Sequence, residues 1–379
     1  MAKKIVIVGG GTGGTIVANL LARNLRSQIS GGKIVIDMIT DKPYHIYQPG
    51  LLYVVFDRMQ PEDIVRNQRG LVDPLVNVLI DSVLNIDRDN KKITTETGHN
   101  FNYDYLVIAT GSRTVPELIP GLAEGAHTFY TLDEAKKLRD SLARFEGGKV
   151  VISVGVPHKC PVAPLEMTFM LYDYFRQKGI LNKTEIYYTY PINRVHALEP
   201  VSNWAVQEFE RKSIKYETFF NMERVDPDKK VVYSMEDTQV DYDLLIAIPP
   251  HKGSQVIETS GIGKDGWVPT DKVNLNNDKY EDVFVVGDTT NIPISKAGST
   301  AHFESEVIAE IITSRISTGF SLRQYNGKVL CFIESGFDAA SYIWFDYNTP
   351  PKPTAPSKML HWMKLTYNQL YWSTVKGSL

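Results

Sequence analysis

Two cysteines, Cys160 and Cys331, are the residues of this chain best suited to redox chemistry. Two are too few for a structural framework, and a cysteine pair in an intracellular chain is either inert or catalytic. Cys160 closes the run Gly155-Val156-Pro157-His158-Lys159-Cys160. It stands just ahead of a helical pattern with Lys159 beside it, an arrangement expected to lower a thiol pKa. Glu166, in the same helical pattern, is a candidate base; read plainly, it is an ordinary first-turn acid favouring the helix dipole. His158 and His196 are bases by type, although a lone loop histidine is more often solvated than catalytic. No Cys/His cluster has metal-ligand spacing, so no metal is expected.

A second chemistry sits at the N-terminus. Gly9-Gly10-Gly11-Thr12-Gly13-Gly14 satisfies G-x-G-x-x-G at Gly9, Gly11 and Gly14. Such glycines permit a tight turn and bring backbone N–H groups against a pyrophosphate at a helix N-terminus. The context is the required one. Lys4–Val8 reads as a strand, Thr15–Leu25 as a helix with Ala18, Leu21, Ala22 and Leu25 on one face, and Lys33–Ile39 as a strand. The acid for a ribose is expected at the end of that strand, and Asp41 suits better than Asp37, which reads as a solvent-facing strand residue.

The remaining elements arrange themselves around this unit. Asn77–Ile80 and Tyr105–Ile108 read as strands, the latter running into Ala109-Thr110-Gly111, and Glu134–Arg144 as a helix. A second βα unit begins at Lys149–Val154, with a helix from about Pro164 to Gln177; Glu185–Tyr190 and Leu244–Ile248 follow as strands. Val283–Val286 is closed by Gly287-Asp288, and Ala301–Ile316 reads as a long helix. The fold class is therefore α/β, with two nested Rossmann-like dinucleotide-binding domains. Residues 1–115 and 270–318 form the first, 116–269 the second, which carries Cys160, and 319–379 a C-terminal region carrying Cys331. Prolines at 350, 351, 353 and 356 mark a stiff linker. In the second unit, Val156 and Pro157 stand where pyrophosphate needs glycine and backbone donors, so a nicotinamide reductant is not expected.

Composition narrows the partners. With 43% hydrophobic and 22% charged residues and a net charge of −3, nothing draws the chain as a whole to nucleic acid. No apolar run reaches the length of a membrane span. The opening Met-Ala-Lys-Lys leads straight into a strand, so export by the common route is not expected.

These motifs resemble a known family. Ala109-Thr110-Gly111 and Val283–Asp288 are similar to segments of the two-domain flavoprotein disulfide reductases, whose Asp contacts the ribityl chain of FAD. Cys160-Pro161-Val162-Ala163-Pro164-Leu165-Glu166, Val329-Leu330-Cys331-Phe332, Pro293–Gly298 and Asp41-Lys42-Pro43-Tyr44 resemble the sulfide:quinone oxidoreductases and the related flavoprotein of flavocytochrome c sulfide dehydrogenase. The resemblance covers the chain from its start to its tail. It implies an FAD enzyme that oxidises hydrosulfide to polysulfide or sulfur through a Cys160–Cys331 disulfide and passes two electrons to a membrane quinone. It places Cys331 beside the flavin, the persulfide on Cys160, and Lys296 near the flavin. Gly298 belongs to the same flavin-binding segment. Most members carry a third cysteine, in several linked to the flavin; its position falls near Tyr130 here, which implies noncovalent FAD.

The tail completes the expectation. Met359, Trp362, Met363, Tyr367, Leu370 and Tyr371 fit one helical face, and Lys352, Lys358, Lys364 and Lys376 accompany it with no acid after Asp346. Aromatic residues with cations suit a membrane headgroup interface, which predicts a peripheral protein on the cytoplasmic face of the cell membrane. The alternative is a tail packed on the body or on a second copy in a homo-oligomer. Phe337, Tyr342, Trp344 and Phe345 are candidates for holding the quinone ring. The competing readings are a flavocytochrome c type sulfide dehydrogenase, a type II NADH:quinone dehydrogenase and a flavin-binding sensor.

Overall fold

The structure, a computed structural model, describes residues 2–378. Its first sheet is parallel and five-stranded, in the order Val283–Val285, Tyr105–Ile108, Lys3–Val8, Ile34–Thr40, Asn77–Ile80. Continuous apolar stretches form these strands because helices and loops cover both faces. Val8 lies opposite both Ile39 and Ile108, and Ile108 opposite Val285. The strands thus end level, and Gly9, Ala109 and Val286-Gly287-Asp288 leave the sheet at one edge. Ligands of open α/β sheets sit at this carboxyl edge.

The Thr12–Asn24 helix, buried from Gly13 to Ala22, covers this sheet together with Gly298–Thr318. The two helices pack on each other, and the Ser305 hydroxyl donates to the Gly13 carbonyl at 3.1 Å. Both begin three residues earlier than their hydrophobic pattern predicts. Their first turns are glycine, serine and threonine, whose N–H groups face the cleft rather than a core, so no apolar signal marks them.

A second parallel sheet takes the order Lys215–Thr218, Thr184–Tyr190, Gly148–Val154, Leu244–Ile248. The Ala163–Lys178 helix lies against it and ends at Gly179, whose φ of +76° closes the helix in the left-handed region. Ser112–Thr114 pairs antiparallel with His251–Gly253, tying the two nested units together.

The C-terminal part is a hairpin, Val329–Glu334 with Ala340–Phe345, followed by the Lys358–Val375 helix. The proline-rich connection runs back along the hairpin, where Thr354 N–H donates to the Tyr342 carbonyl at 3.1 Å. Ser357 caps the helix by accepting from Leu360 N–H at 3.2 Å. This helix is fastened to the first domain. Asn19 donates to the Val375 carbonyl at 2.8 Å, and the Tyr371 hydroxyl meets Thr12 Oγ1 at 2.8 Å and His45 Nε2 at 2.6 Å.

Candidate functional site

The glycine loop has three distinct tasks. A Cβ on Gly9, whose φ is +110°, would stand 2.3 Å from the Ala109 carbonyl oxygen, and one on Gly14 would stand 2.0 Å from that of Gly9. Only glycine lets the turn and the helix close here. A Cβ on Gly11 would meet nothing within 4 Å, and Gly11 borders the central cleft with Thr12. That open space against a helix N-terminus suits a pyrophosphate. On the far side of Gly9, a groove lined by Asp41, Thr40, Asp81 and Thr110 offers an exposed carboxylate to a ribose. Asp37 instead accepts from Asn77 at the sheet surface.

The cleft continues past Ala109, Gly111, Gly287 and Asp288 to Lys296 and Gly298. Thr289 Oγ1 accepts from Gly111 N–H at 2.7 Å and locks two of these loops together. The Asp288 carboxylate accepts from Ser112 Oγ at 3.0 Å. Lys296 donates to the carbonyls of Asp288 and Thr290 at 3.0 and 2.5 Å. Burial lowers its pKa against the pull of Asp288 and Glu304. The Gly298–Thr318 helix starts at the cleft with no acid in its first turn, so its positive end is free for a ligand. Tyr130 lines the cleft, stacked on Phe129 at 5.0 Å, and its buried hydroxyl lacks a partner among the described residues. Cradle, ribose groove and positive helix end fit a dinucleotide with an anionic ring system.

Cys160 and Glu166 border the same cleft, whereas Cys331 stands behind it on the Val329–Glu334 strand. Both cysteines are free thiols, near enough that charge on Cys160 opposes ionisation of Cys331. The expectation of a low Cys160 pKa is overturned. Burial, and then the Glu166 carboxylate, push the thiol up to about 12. The physical reason is local. Cys160 adopts φ +49° in a turn, the helix starts only at Ala163, and Lys159 turns away to Gln48 at 2.8 Å. Burial also raises the Cys331 thiol, opposed by Lys364 and the Ser299 hydroxyl.

Glu166 is not an ordinary first-turn acid. It accepts from Glu334 N–H at 2.8 Å and from the Lys364 ammonium in a buried ion pair. Burial raises its pKa and Lys364 restrains the rise. Burial alone would lower Lys364, but the Glu166 and Glu334 carboxylates carry it upward. Lys364 is therefore no headgroup cation. His361 Nδ1 meets Glu334 Oε2 at 2.9 Å, and the Tyr53 hydroxyl donates to Glu334 Oε1 at 2.5 Å. None of Glu334, His361 and Tyr53 stands out by motif. Only His361 carried a signal, in helical spacing, since His361, Lys364, Asn368 and Tyr371 recur every three or four residues. Glu304 was equally silent. It accepts from Gly287 N–H at 2.6 Å, and burial pushes its carboxyl up to about 8. His158 and His196 are not solvated; burial takes both down to about 4.

The quinone candidates differ in exposure. Phe337 and Phe345 are buried in the core, Phe337 against Phe56 and under the Arg58 guanidinium. Alternation along its strand turns Phe345 inward, whereas Phe337 lies in the connection between the two strands. Tyr342 is half-buried, packs on Phe332 at 5.2 Å, and Phe332 reaches Tyr367 at 6.2 Å. This aromatic cluster flanks Cys331. Met359, Trp362, Met363, Tyr367 and Leu370 lie exposed along the C-terminal helix, with Trp344 on the hairpin, but Tyr371 is buried. Among the described residues, no helix is long and apolar enough to cross a membrane, and no cluster of metal-ligating side chains occurs.

Residues 3–304 match the family model described as pyridine nucleotide-disulphide oxidoreductase. The mitochondrial sulfide:quinone oxidoreductase of Mus musculus is 26% identical over 369 residues, 93% of this chain and 80% of that protein. The type II NADH:quinone oxidoreductase of Staphylococcus saprophyticus is 25% identical over 303 residues, 76% of this chain and 74% of that protein. The crystal structure of the sulfide:quinone oxidoreductase from Aquifex aeolicus superposes with a TM-score of 0.86 at 22% identity, covering 100% of this chain and 92% of that one.

Proposed function

From the premise that the chain belongs to the pyridine nucleotide-disulphide oxidoreductase family, we propose that it is a sulfide:quinone oxidoreductase. The cofactor is FAD. Gly9, Gly11, Thr12 and Gly14 would hold its pyrophosphate, Asp41 a ribose, Ala109, Thr110, Gly111, Gly287 and Asp288 its middle, and Lys296 and Gly298 its ring. When bound, FAD supplies a two-electron acceptor that can pass electrons on to a quinone. Tyr130 offers no thiol for a linkage, so the cofactor is held noncovalently.

One observation carries the reading. Cys160 borders the cleft where the glycine loop, Lys296 and the Gly298 helix end converge, while the second βα turn, Gly155-Val156-Pro157, lacks the second and third glycines and the Pro157 donor that a second dinucleotide would need. The chemistry follows from the side chains. In the oxidised pair, hydrosulfide attacks the Cys160 sulfur, an S–S bond forms there, and Cys331 leaves as thiolate. Lys364 and the Ser299 hydroxyl oppose the burial cost of that thiolate. Glu166, held by Lys364 at the cleft, accepts the sulfur-borne proton.

The quinone approaches from a membrane surface. The exposed Met359–Leu370 face and Trp344 rest there, and Tyr342, Phe332 and Tyr367 line the approach to Cys331. The protein is thus peripheral.

The test is anaerobic. Purified protein should show a flavin spectrum that micromolar sulfide bleaches and a short-chain quinone restores. Bleaching by NADH with no response to sulfide would overturn the proposal in favour of an NADH dehydrogenase.

A further inference from the structure

The reaction proposed above does not balance without a proton from solvent. Hydrosulfide oxidised to the sulfane level releases two electrons and one proton, whereas reduction of a quinone to its quinol consumes two electrons and two protons. One proton per turnover must therefore reach the site from solvent.

The cluster behind the cleft gathers groups that can carry that proton. Glu166 and Glu334 are carboxylates and Lys364 is the one ammonium in contact with them, with side chains 8%, 1% and 8% exposed. His361, bonded through Nδ1 to Glu334 at 2.9 Å, is the most exposed member of the cluster, its side chain 12% exposed. Tyr53 closes the other carboxylate oxygen. The Glu334 peptide N–H donates to Glu166, so the two acids share one framework. Arg58 also faces Glu334 and Asp173, and Asp173 is paired with Arg176 at 2.8 Å.

We propose that His361 and Glu334 form the proton port of the site, loading solvent protons onto the Lys364–Glu166 pair as the site is reduced and its electrons pass on. This rests on the sulfide:quinone reading for its stoichiometry, although the port would serve any two-electron donor. His361 acts through Glu334 and positions the proton; it does not touch substrate.

The experiment uses the flavin-loaded protein and His361→Gln, which can still donate to Glu334 but cannot take up a second proton. Reoxidation of the reduced protein by a short-chain quinone is followed by stopped flow as a function of pH. In His361→Gln it should slow by about tenfold, lose the pH dependence seen in the wild type, and recover on addition of free imidazole. Glu334→Gln should slow equally and not be rescued. The flavin midpoint potential against pH, titrated with dyes and needing neither sulfide nor quinone, should show a break in the wild type that His361→Gln removes. His361→Asn, with flavin content and melting temperature, separates misfolding from loss of the port. A wild-type rate, pH profile and break in His361→Gln would overturn the port. A wild type inert to sulfide and quinone, with the break still tied to His361, would overturn the functional reading and leave the port standing.

Discussion

Two cysteines define the residue scale, and their environment sets how they behave. Cys160→Ser and Cys331→Ser should each lower sulfide-dependent quinone reduction by at least about 100-fold while the purified protein keeps its flavin spectrum; retained turnover in both would rule out the dithiol route. Because burial takes the Cys160 thiol up to about 12, alkylation of the reduced protein should stay slow at neutral pH and accelerate as pH climbs above about 9. Glu304 gives a stability prediction. Its carboxyl titrates near 4.5 when unfolded and about 8 in the fold. The unfolded chain therefore loses this proton first, and the contribution, complete below pH 4.5, fades as pH rises to about 8. Glu304→Gln keeps an acceptor for Gly287 and removes the penalty. Urea unfolding should find it more stable than wild type at pH 8 by a few kcal/mol at most, with the gap closing toward acid pH.

At the scale of elements, the C-terminal helix is amphipathic in an unusual sense. Its outward face is apolar, and its inward face carries His361, Lys364, Asn368 and Tyr371. Lys364→Met would leave Glu166 buried without its cation, a loss of about 3–5 kcal/mol by thermal or denaturant unfolding. Adding Glu166→Gln should restore most of that stability without restoring turnover. If the double variant is no more stable than the single one, the ion pair does not govern the docking of this helix. The inward stripe was present in the sequence as 3- and 4-residue spacing. What hid it was its chemistry, because lysine and histidine near a chain end read as solvated until their acids, Glu166 and Glu334, are brought alongside.

At the scale of the molecule, the exposed face of this helix predicts surface binding. Replacing Met359, Trp362 and Leu370 with Ser should abolish co-sedimentation with anionic vesicles and leave the flavin spectrum unchanged; undiminished binding would place the membrane contact elsewhere. The arrangement of the whole also shows which features are local. The glycine loop, Ala109-Thr110-Gly111 and Gly287-Asp288 could be read directly, because strand-to-turn transitions and φ-dependent glycines are written in neighbouring residues. Their convergence follows from level strand ends in a parallel sheet, and so does the reading of a dinucleotide site. Thiol reactivity could not be read in this way. Lys159 is adjacent to Cys160 in sequence yet bonds to Gln48, while Lys364, about 200 residues away in the chain, faces Glu166. Aromatic type likewise did not separate buried Phe337 and Phe345 from half-buried Tyr342, since side-chain direction on a hairpin depends on what packs against each face. The sequence by itself determined the backbone cradle and the presence of two cysteines. The tertiary structure decided their protonation, the charge cluster behind them and the face of the final helix left to solvent, because burial and Coulomb energy depend on distances through space rather than along the chain.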